Sequence, residues 1–434
     1  MKKRSIPLTA ALIAGLCTPI DAQLPPNTTP AQTGTVSQPA EPGANLTVYL
    51  LTFGWGDAVW ERFGHNAIWI RDRVAGTDMT YNWGMFDFNQ PHFVWRFVTG
   101  DTRYWMEPID FAAMVRYYRE HDRSVLAQEL NLSPAQRLKL QQFVQWNALP
   151  QNKFYRYDYY RDNCSTRLRD ALDHALSGQL QTATVSRMTS GTYRWHTQRL
   201  LTGDLPLYTG VTLALGHPAD KPLSMWQEMF LPVRMANDFR SVTVADTAGN
   251  QLPLVKSEMA IFTAGRSPEP SVAPGYLPLF VAIGLVYGVL LLVLVRSGEG
   301  GHRFAFFGAA ALATLWSLVA GVAGAALVFA WLFTKHYFMG RNENLLHFDP
   351  LSLALVVMIP LSLFSPRGTS RAVKLAGYIA IICLFGFVLQ GASFFDQKNG
   401  EIIALALPIN LAVWWTVYRL SAYKRISLPS SAAL

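Results

Sequence analysis

One cysteine stands in a polar, aromatic segment that could support nucleophilic catalysis. Cys164 follows Asp-Asn, precedes Ser-Thr and ends an approach rich in tyrosine. Apolar residues then recur at helical spacing, which predicts a helix over residues 164–176 with the thiol on its first turn. Because the positive end of a helix dipole favours an anion, we expect a lowered thiol pKa, and the Cys164 amide with Asn163 or Tyr159 could stabilise an oxyanion. A cysteine that only fills a core is the alternative, which its polar neighbours disfavour.

A thiol nucleophile needs a base, and His65 is the best placed of the nine histidines. It follows a glycine at the start of a predicted strand over residues 63–70, and strands hold their side chains in fixed directions. A half-buried structural histidine fits that spacing equally well. Asn82, at the end of a neighbouring predicted strand, is the candidate third group, although asparagine there is also common turn chemistry.

The remaining motifs disfavour metal and serine chemistry. The histidines are scattered, and the chain has no His-x-x-x-His or Cys-x-x-Cys pair. No Gly-x-Ser-x-Gly motif lies near the candidate base. We therefore expect neither a metal ion nor a soluble cofactor.

The chain begins like an exported bacterial protein. Residues 1–22 run from a basic start through an apolar stretch to a small-residue site, which is typical of a signal peptide. Cys17 would leave with this peptide, and Cys383 lies in a later apolar run, so Cys164 would be the single exported thiol. Residues 23–44, rich in Pro, Thr and Gln, are predicted to be a disordered linker.

The charge distribution gives no reason to expect a nucleic-acid partner. The formal net charge is +8, but residues 23–275 carry 23 basic and 23 acidic side chains, so the exported part is neutral. The surplus positive charge lies in the signal peptide, in loops between the apolar runs of the second half and in the tail after the last run. With 50% hydrophobic and only 15% charged residues, the composition predicts membrane segments.

Periodicity predicts a folded domain over residues 45–265, with a sheet ahead of the cysteine helix. The predicted strands cover residues 46–53, 63–70 and 79–83. Besides the cysteine helix, predicted helices cover residues 134–147, 192–201 and 223–238. An Ala-Gly-Asn turn inside residues 243–255 predicts a hairpin.

Residues 276–420 predict a membrane domain. The apolar runs are residues 276–295, 304–333, 350–364, 373–395 and 402–418. A span needs about 20 residues, so the third run is short. Counting it as a span puts eight basic residues on the cytoplasmic side and three outside, as the positive-inside rule favours. We expect an inner-membrane protein with its first domain outside and residues 421–434 as a cytoplasmic tail.

The site motifs resemble a known family. A Gly-His strand start followed by an Asn-Cys helix start resembles the permuted NlpC-type branch of the papain-like fold, which includes lecithin:retinol acyltransferase. The longer segments Phe-Gly-His-Asn-Ala (63–67) and Asn-Cys-Ser-Thr-Arg (163–167), with the membrane tail, are more similar to Lnb-type lipoprotein N-acyltransferases. The resemblance implies an α+β papain-like periplasmic domain, then an all-α membrane domain of about five transmembrane helices. It also implies that His65 and Cys164 are the catalytic pair.

The same resemblance implies an activity. Cys164 would take an acyl chain from a phospholipid as a thioester and pass it to the N-terminal amine of a lipoprotein. The polar outer loop, residues 334–347, includes His336, Asn342 and Asn344 as candidate substrate-binding residues, and a solvated turn is equally compatible. The rivals are a cysteine amidase or endopeptidase acting on peptidoglycan peptides, and a non-catalytic envelope scaffold.

Overall fold

A computed structural model describes residues 41–246, 249–363 and 366–427. The predicted signal peptide, most of the predicted linker and the last seven residues of the predicted tail lie outside these ranges. Residues 42–45 form a turn that leads into the first strand. Residues 421–427 continue the last helix, so this part of the predicted tail is helical.

Strands dominate the first half of the described chain. In order, they are β1 (Leu46–Phe53), β2 (His65–Asp72), β3 (Thr77–Met85), β4 (Arg103–Asp110), β5 (Val125–Leu130), β6 (Phe154–Arg156), β7 (Met188–Thr192), β8 (Pro222–Ser224), β9 (Thr243–Ala245), β10 (Gln251–Pro253) and β11 (Val255–Phe262).

Seven strands form one antiparallel sheet in the order β11-β5-β1-β2-β3-β4-β6, which puts β2 at its centre. The three predicted strands are confirmed as β1, β2 and β3, whereas the other four were missed. Strands β9 and β10 pair as the predicted hairpin, and turn residues 247–248 lie outside the described ranges. Strands β7 and β8 form a second small sheet.

Nine α-helices lie in the described part of the domain. They are α1 (Phe93–Thr99), α2 (Phe111–Glu120), α3 (Pro134–Ala148), α4 (Cys164–Ala175), α5 (Gln179–Thr184), α6 (Tyr193–Leu200), α7 (Leu205–Ala214), α8 (Met225–Glu228) and α9 (Pro232–Phe239).

The seven-stranded sheet is covered on both faces. Leu50 and Ile68 on one face pack in a core with Leu172 of α4. Phe53 on the other face packs in a separate core with Met114 of α2. The alternation of side chains along β1 explains the two cores, because neighbouring residues of a strand point to opposite faces.

The predicted helices over residues 134–147, 164–176 and 192–201 are confirmed as α3, α4 and α6. The single helix predicted over residues 223–238 is wrong, because the chain forms β8, α8 and α9 there. Pro232 is the first residue of α9. Proline lacks a backbone N–H and clashes with the preceding helical turn, so it starts a new helix.

Five helices form the C-terminal bundle. They are α10 (Leu277–Glu299), α11 (Arg303–Phe333), α12 (Ser352–Ser362), α13 (Pro366–Leu389) and α14 (Gly400–Ser427). All except α12 include a stretch that is long and apolar enough to cross a membrane. Helix α12 has 11 residues and a length of about 16 Å, so alone it is shorter than the roughly 30 Å core of a bilayer.

Contacts with the first domain and with the outer loop (residues 334–347) show that the chain of the third predicted span also crosses the bundle. Lys335, just after α11, forms a 2.7 Å ion pair with Asp101 of the domain. Gln390, just after α13, donates to Glu343 in the outer loop at 2.9 Å. Both helices therefore end on the domain's side, so the chain between them must return across the bundle, and α12 lies in that return.

Candidate active site

The site lies where β2 and β3 separate. The two strands pair from Asp72 and Thr77 only as far as Ile68 and Tyr81, and β3 is irregular beyond Asn82. The N-terminus of α4 packs against both strands at this split. A side chain on Gly84, whose φ is +89°, would bring its Cβ 3.1 Å from the Cβ of Cys164, so only glycine fits there.

Asn163 acts as the N-cap of α4. Its Oδ1 accepts from the backbone amides of Ser165 and Thr166, each at 2.9 Å. Its Nδ2 donates to the backbone carbonyls of Tyr159 and Phe230, at 3.1 and 3.0 Å. Since both ends of the side-chain amide are bound, the structure favours a capping role for Asn163 over the predicted oxyanion role.

Cys164 is half-buried at the first position of α4, but the predicted lowering of its thiol pKa is wrong. Burial raises the pKa above 9.0, and the backbone amides of Asn66, Ser165 and Cys164 and the Ser165 hydroxyl only partly oppose it. Desolvation of the thiolate therefore outweighs the helix terminus. The thiol is therefore neutral at rest, and a nucleophilic role for it would require a nearby base.

His65 lies directly before Asn66, whose amide faces the Cys164 sulfur. Its Nε2 is 3.3 Å from Asn82 Oδ1. The Asn82 Nδ2 donates to Thr80 O and Oγ1 at 3.1 and 3.2 Å, which assigns Oδ1 as the atom that faces His65. His65 Nε2–H therefore donates to Asn82, and no group in the described chain donates to Nδ1, whose lone pair can accept a proton.

The imidazole of His65 is held neutral. Burial and, to a smaller extent, the positive charge of Arg123 lower its pKa to about 4, while the hydrogen bond with Asn82 acts in the opposite direction. Arg123 is itself buried, pairs with Glu61 at 3.0 Å and donates to Gly54 O at 2.9 Å. Sequence reasoning missed Arg123, because no motif links it to His65.

Tyr155 is a second residue that sequence reasoning missed, although it lies in the aromatic approach to Cys164. It is on β6, with the Arg167 guanidinium 4.3 Å from its ring centroid. Its pKa is raised well above 10.0 by burial and then by the charge of Cys164, and both residues approach the backbone of Gly84. Its buried hydroxyl donates to no group in the described chain, so it is free to donate to a substrate oxygen.

Tyr159, the tyrosine singled out from the sequence, packs elsewhere. Its ring stands edge-on to Tyr160 at 4.6 Å and lies 6.0 Å from the ring of His336. Burial and the neighbouring Tyr160 and Asp158 raise its pKa, with no contribution from Cys164. Tyr159 therefore connects the cysteine segment to the outer loop, while Tyr155 lies nearer the thiol.

The outer loop packs against the first domain. His336 Nε2 is 3.0 Å from Phe97 O. Asn342 Nδ2 donates to both Leu213 O and Ala214 O, and Asn344 Nδ2 also donates to Leu213 O, all at 2.9 Å. Both asparagines are buried and bound to the end of α7, which favours a structural role over substrate binding.

One group in the described chain has side chains that could hold a metal ion, and it lies apart from Cys164. His217, Glu343 and Asp396 bring their ligand atoms within 4.8 Å of one another. His217 Nδ1 is 2.9 Å from Asp396 Oδ1, within ion-pair distance, but it has no hydrogen-bond partner in the described chain. This group joins the first domain to two loops of the bundle.

Comparison with known proteins agrees with this architecture. The Lnb N-terminal periplasmic domain matches residues 40–202, which include Cys164, His65 and Asn82, and the Lnb transmembrane domain matches residues 276–420. No curated protein and no solved structure matches the chain. The two domains support an inner-membrane protein with a periplasmic domain, and they suggest a role like that of a lipoprotein N-acyltransferase. The chain carries both domains in order and belongs to the Lnb-type family.

Proposed function

We propose that this protein is a cysteine acyltransferase that moves an acyl chain from a phospholipid to the N-terminal amine of a lipoprotein. The observation that carries the proposal is that the Asn66 amide faces the half-buried Cys164 sulfur, while His65, the residue before Asn66, has a neutral imidazole oriented by Asn82, in a chain that has both Lnb domains. Both substrates reside in a bilayer, which explains why the catalytic domain is fused to a membrane bundle. The C-terminus is cytoplasmic in this arrangement.

The first half-reaction forms an acyl-enzyme. His65 Nδ1 takes the thiol proton while the Cys164 sulfur attacks the ester carbonyl of the phospholipid. The new S–C bond forms, the C–O bond of the ester breaks, and His65 returns the proton to the leaving lysophospholipid oxygen. Because the pKa of Cys164 is raised and that of His65 is low, proton transfer accompanies the attack instead of preceding it.

Charge develops on the carbonyl oxygen during this attack. The backbone amide of Cys164 at the helix start and the free O–H of Tyr155 are the donors that support an oxyanion here. Asn82 acts as a positioning residue, because its Oδ1 fixes the tautomer that leaves His65 Nδ1 unprotonated.

The second half-reaction releases the product. The lipoprotein amine attacks the thioester, the N–C bond forms and the C–S bond breaks. His65 takes a proton from the amine nitrogen and returns it to the Cys164 sulfur, which restores the neutral thiol. The net reaction converts an ester and an amine into an amide and a lysophospholipid, with no metal or soluble cofactor in any step.

The test uses purified full-length protein in phospholipid vesicles with a synthetic diacylated lipopeptide. Mass spectrometry should show one added acyl chain with the wild type and none with Cys164→Ser. Cys383→Ser is the matched control, because that buried thiol lies in the bundle beside His347 Nδ1 at 3.2 Å and should be dispensable. Cleavage of peptidoglycan peptides without any lipopeptide acylation would favour the amidase, and inactivity in both assays would favour the scaffold.

A further inference from the structure

Helix α1 presents large apolar side chains to the surroundings. Val94, Trp95 and Phe97 are 73%, 62% and 58% exposed, and no residue of the helix is buried. An exposed apolar patch of this kind on a folded domain marks a contact with a partner or a membrane. Tryptophan in such a patch favours the boundary between lipid and water.

The position of α1 selects the membrane as that partner. The ring of Trp95 is 6.5 Å from Phe329 of α11, and the backbone amide of Lys335 donates to Thr99 O at 2.8 Å. Helix α11 has 31 residues and is about 46 Å long, whereas a bilayer core is about 30 Å thick. Its outer end therefore projects to the level of the lipid headgroups, and α1 is held against that end.

The apolar surface of α1 continues onto the membrane bundle. Leu332 and Phe333, the last two residues of α11, are exposed like Val94 and Trp95. The two helix ends lie side by side because His336 is bound to Phe97 O and Lys335 to Asp101. A lipid surface that covers the end of α11 would thus also cover α1.

A row of aromatic rings leads from α1 towards the nucleophile. We call Phe93, Phe86, Tyr104 and Tyr157 the ring path, with successive centroid distances of 6.2, 5.0 and 4.1 Å. Tyr157 lies seven residues before Cys164, and its pKa is raised by burial and then by the charge of Cys164, so the path ends on the segment that carries the thiol. Flat apolar rings in a row suit the hydrocarbon chain of a lipid.

We propose that α1 lies in the outer leaflet of the bilayer and that the ring path binds the acyl chain of the donor phospholipid as its ester carbonyl reaches Cys164. The inference rests on the proposed acyl transfer and specifies where the lipid enters. It also explains why α1 exposes its apolar side chains beside the outer end of α11.

Membrane contact is tested without reference to activity. Val94→Cys and, as control, Val74→Cys are labelled with an environment-sensitive fluorophore in full-length protein with the Cys164→Ser and Cys383→Ser changes. Val74 is 84% exposed in the turn between β2 and β3. The label at residue 94 should be quenched by lipids brominated on their acyl chains, and the label at residue 74 by aqueous iodide. Equal iodide quenching at both positions would overturn the proposal.

Lipid entry is tested by the matched pair Val94→Glu and Val74→Glu. A buried charge in the leaflet is costly, so Val94→Glu should slow acyl-enzyme formation from phospholipid at least about tenfold, while Val74→Glu should not. The loss should be at least about tenfold larger with phospholipid than with a water-soluble butyrate ester. Equal losses with both donors would refute lipid entry at α1. If the wild type forms no acyl-enzyme with either donor, the proposed function fails, and the quenching result still decides membrane contact.

Discussion

The segment around Cys164 and the outer loop are similarly polar in sequence, yet their polar groups are used differently. Around Cys164, the lone pair of His65 Nδ1 and the hydroxyl proton of Tyr155 remain free. In the outer loop, the side-chain amides of Asn342 and Asn344 donate hydrogen bonds to backbone carbonyl oxygens of α7. A polar segment becomes reactive only where some of its groups are left without partners, and the predictions below test that distinction.

The largest effect is expected at His65. His65→Gln keeps a polar side chain but removes the base, so kcat for acyl-enzyme formation should fall by about 10²–10⁴. The wild-type rate should be lost as the pH falls through about 4, because protonation of His65 removes the lone pair. Stopped-flow or quenched kinetics across pH would measure both.

The loss of activity at low pH, the acid limb of the pH–rate profile, also reflects unfolding. Because the pKa of His65 in the folded protein lies below its ordinary 6.5, the unfolded chain binds more protons, and stability is lost progressively as the pH falls from 6.5 towards 4. Circular dichroism at each pH separates unfolding from loss of the base. An acid limb near 6.5 in a fully folded protein would contradict a neutralised, buried His65.

A smaller effect is expected at Tyr155. Tyr155→Phe removes only the hydroxyl, and loss of one oxyanion donor should reduce kcat about 10²-fold with little change in KM. Tyr159→Phe is the matched control, because its hydroxyl is also buried without a hydrogen bond in the described chain, but the charge of Cys164 does not reach it. Equal losses of kcat in the two variants would contradict a specific role of the Tyr155 hydroxyl as an oxyanion donor.

A third, smaller effect is expected at Asn82. Asn82→Ala should lower kcat about tenfold or more, because His65 loses the acceptor that fixes its tautomer. Asn82→Asp should move the acid limb upwards, since a carboxylate beside the imidazole favours its protonated form. A residue with only a structural role would lower stability without moving the pH profile, so an unmoved limb would argue against positioning.

The sequence anticipated the order of the elements better than the energetics of the site. The bounds of strand β1 were predicted to the residue, because its run of Val, Leu, Tyr and Thr is a local signal. The position of Tyr155 at the edge of the sheet depends on the pairing of β6 with β4, which are about fifty residues apart in the chain. No local sequence pattern predicts such a long-range pairing. The position of Cys164 at a helix start was likewise local, whereas its raised pKa depends on the residues that bury it.

The same reasoning applies to the asparagines of the outer loop. A loop asparagine looks available for a ligand when its partners are unknown. Asn344 is bound to Leu213 O at 2.9 Å and accepts from Asn399 Nδ2 at 2.8 Å, and both partners are far away in the chain. Only tertiary structure shows that these groups are already bound.

The smallest effect on catalysis is therefore expected at Asn344. Asn344→Ala removes a fully buried amide and leaves Leu213 O and the Asn399 amide with fewer partners, which should cost about 1–3 kcal/mol of stability. Acyl transfer per folded molecule should stay near that of the wild type. Thermal unfolding and kinetics on the same preparation measure the two quantities. Asn89→Ala, an exposed asparagine that bonds only to Asp87 nearby, should change neither. A fall in kcat at unchanged stability in Asn344→Ala would instead give the outer loop a direct part in binding substrate.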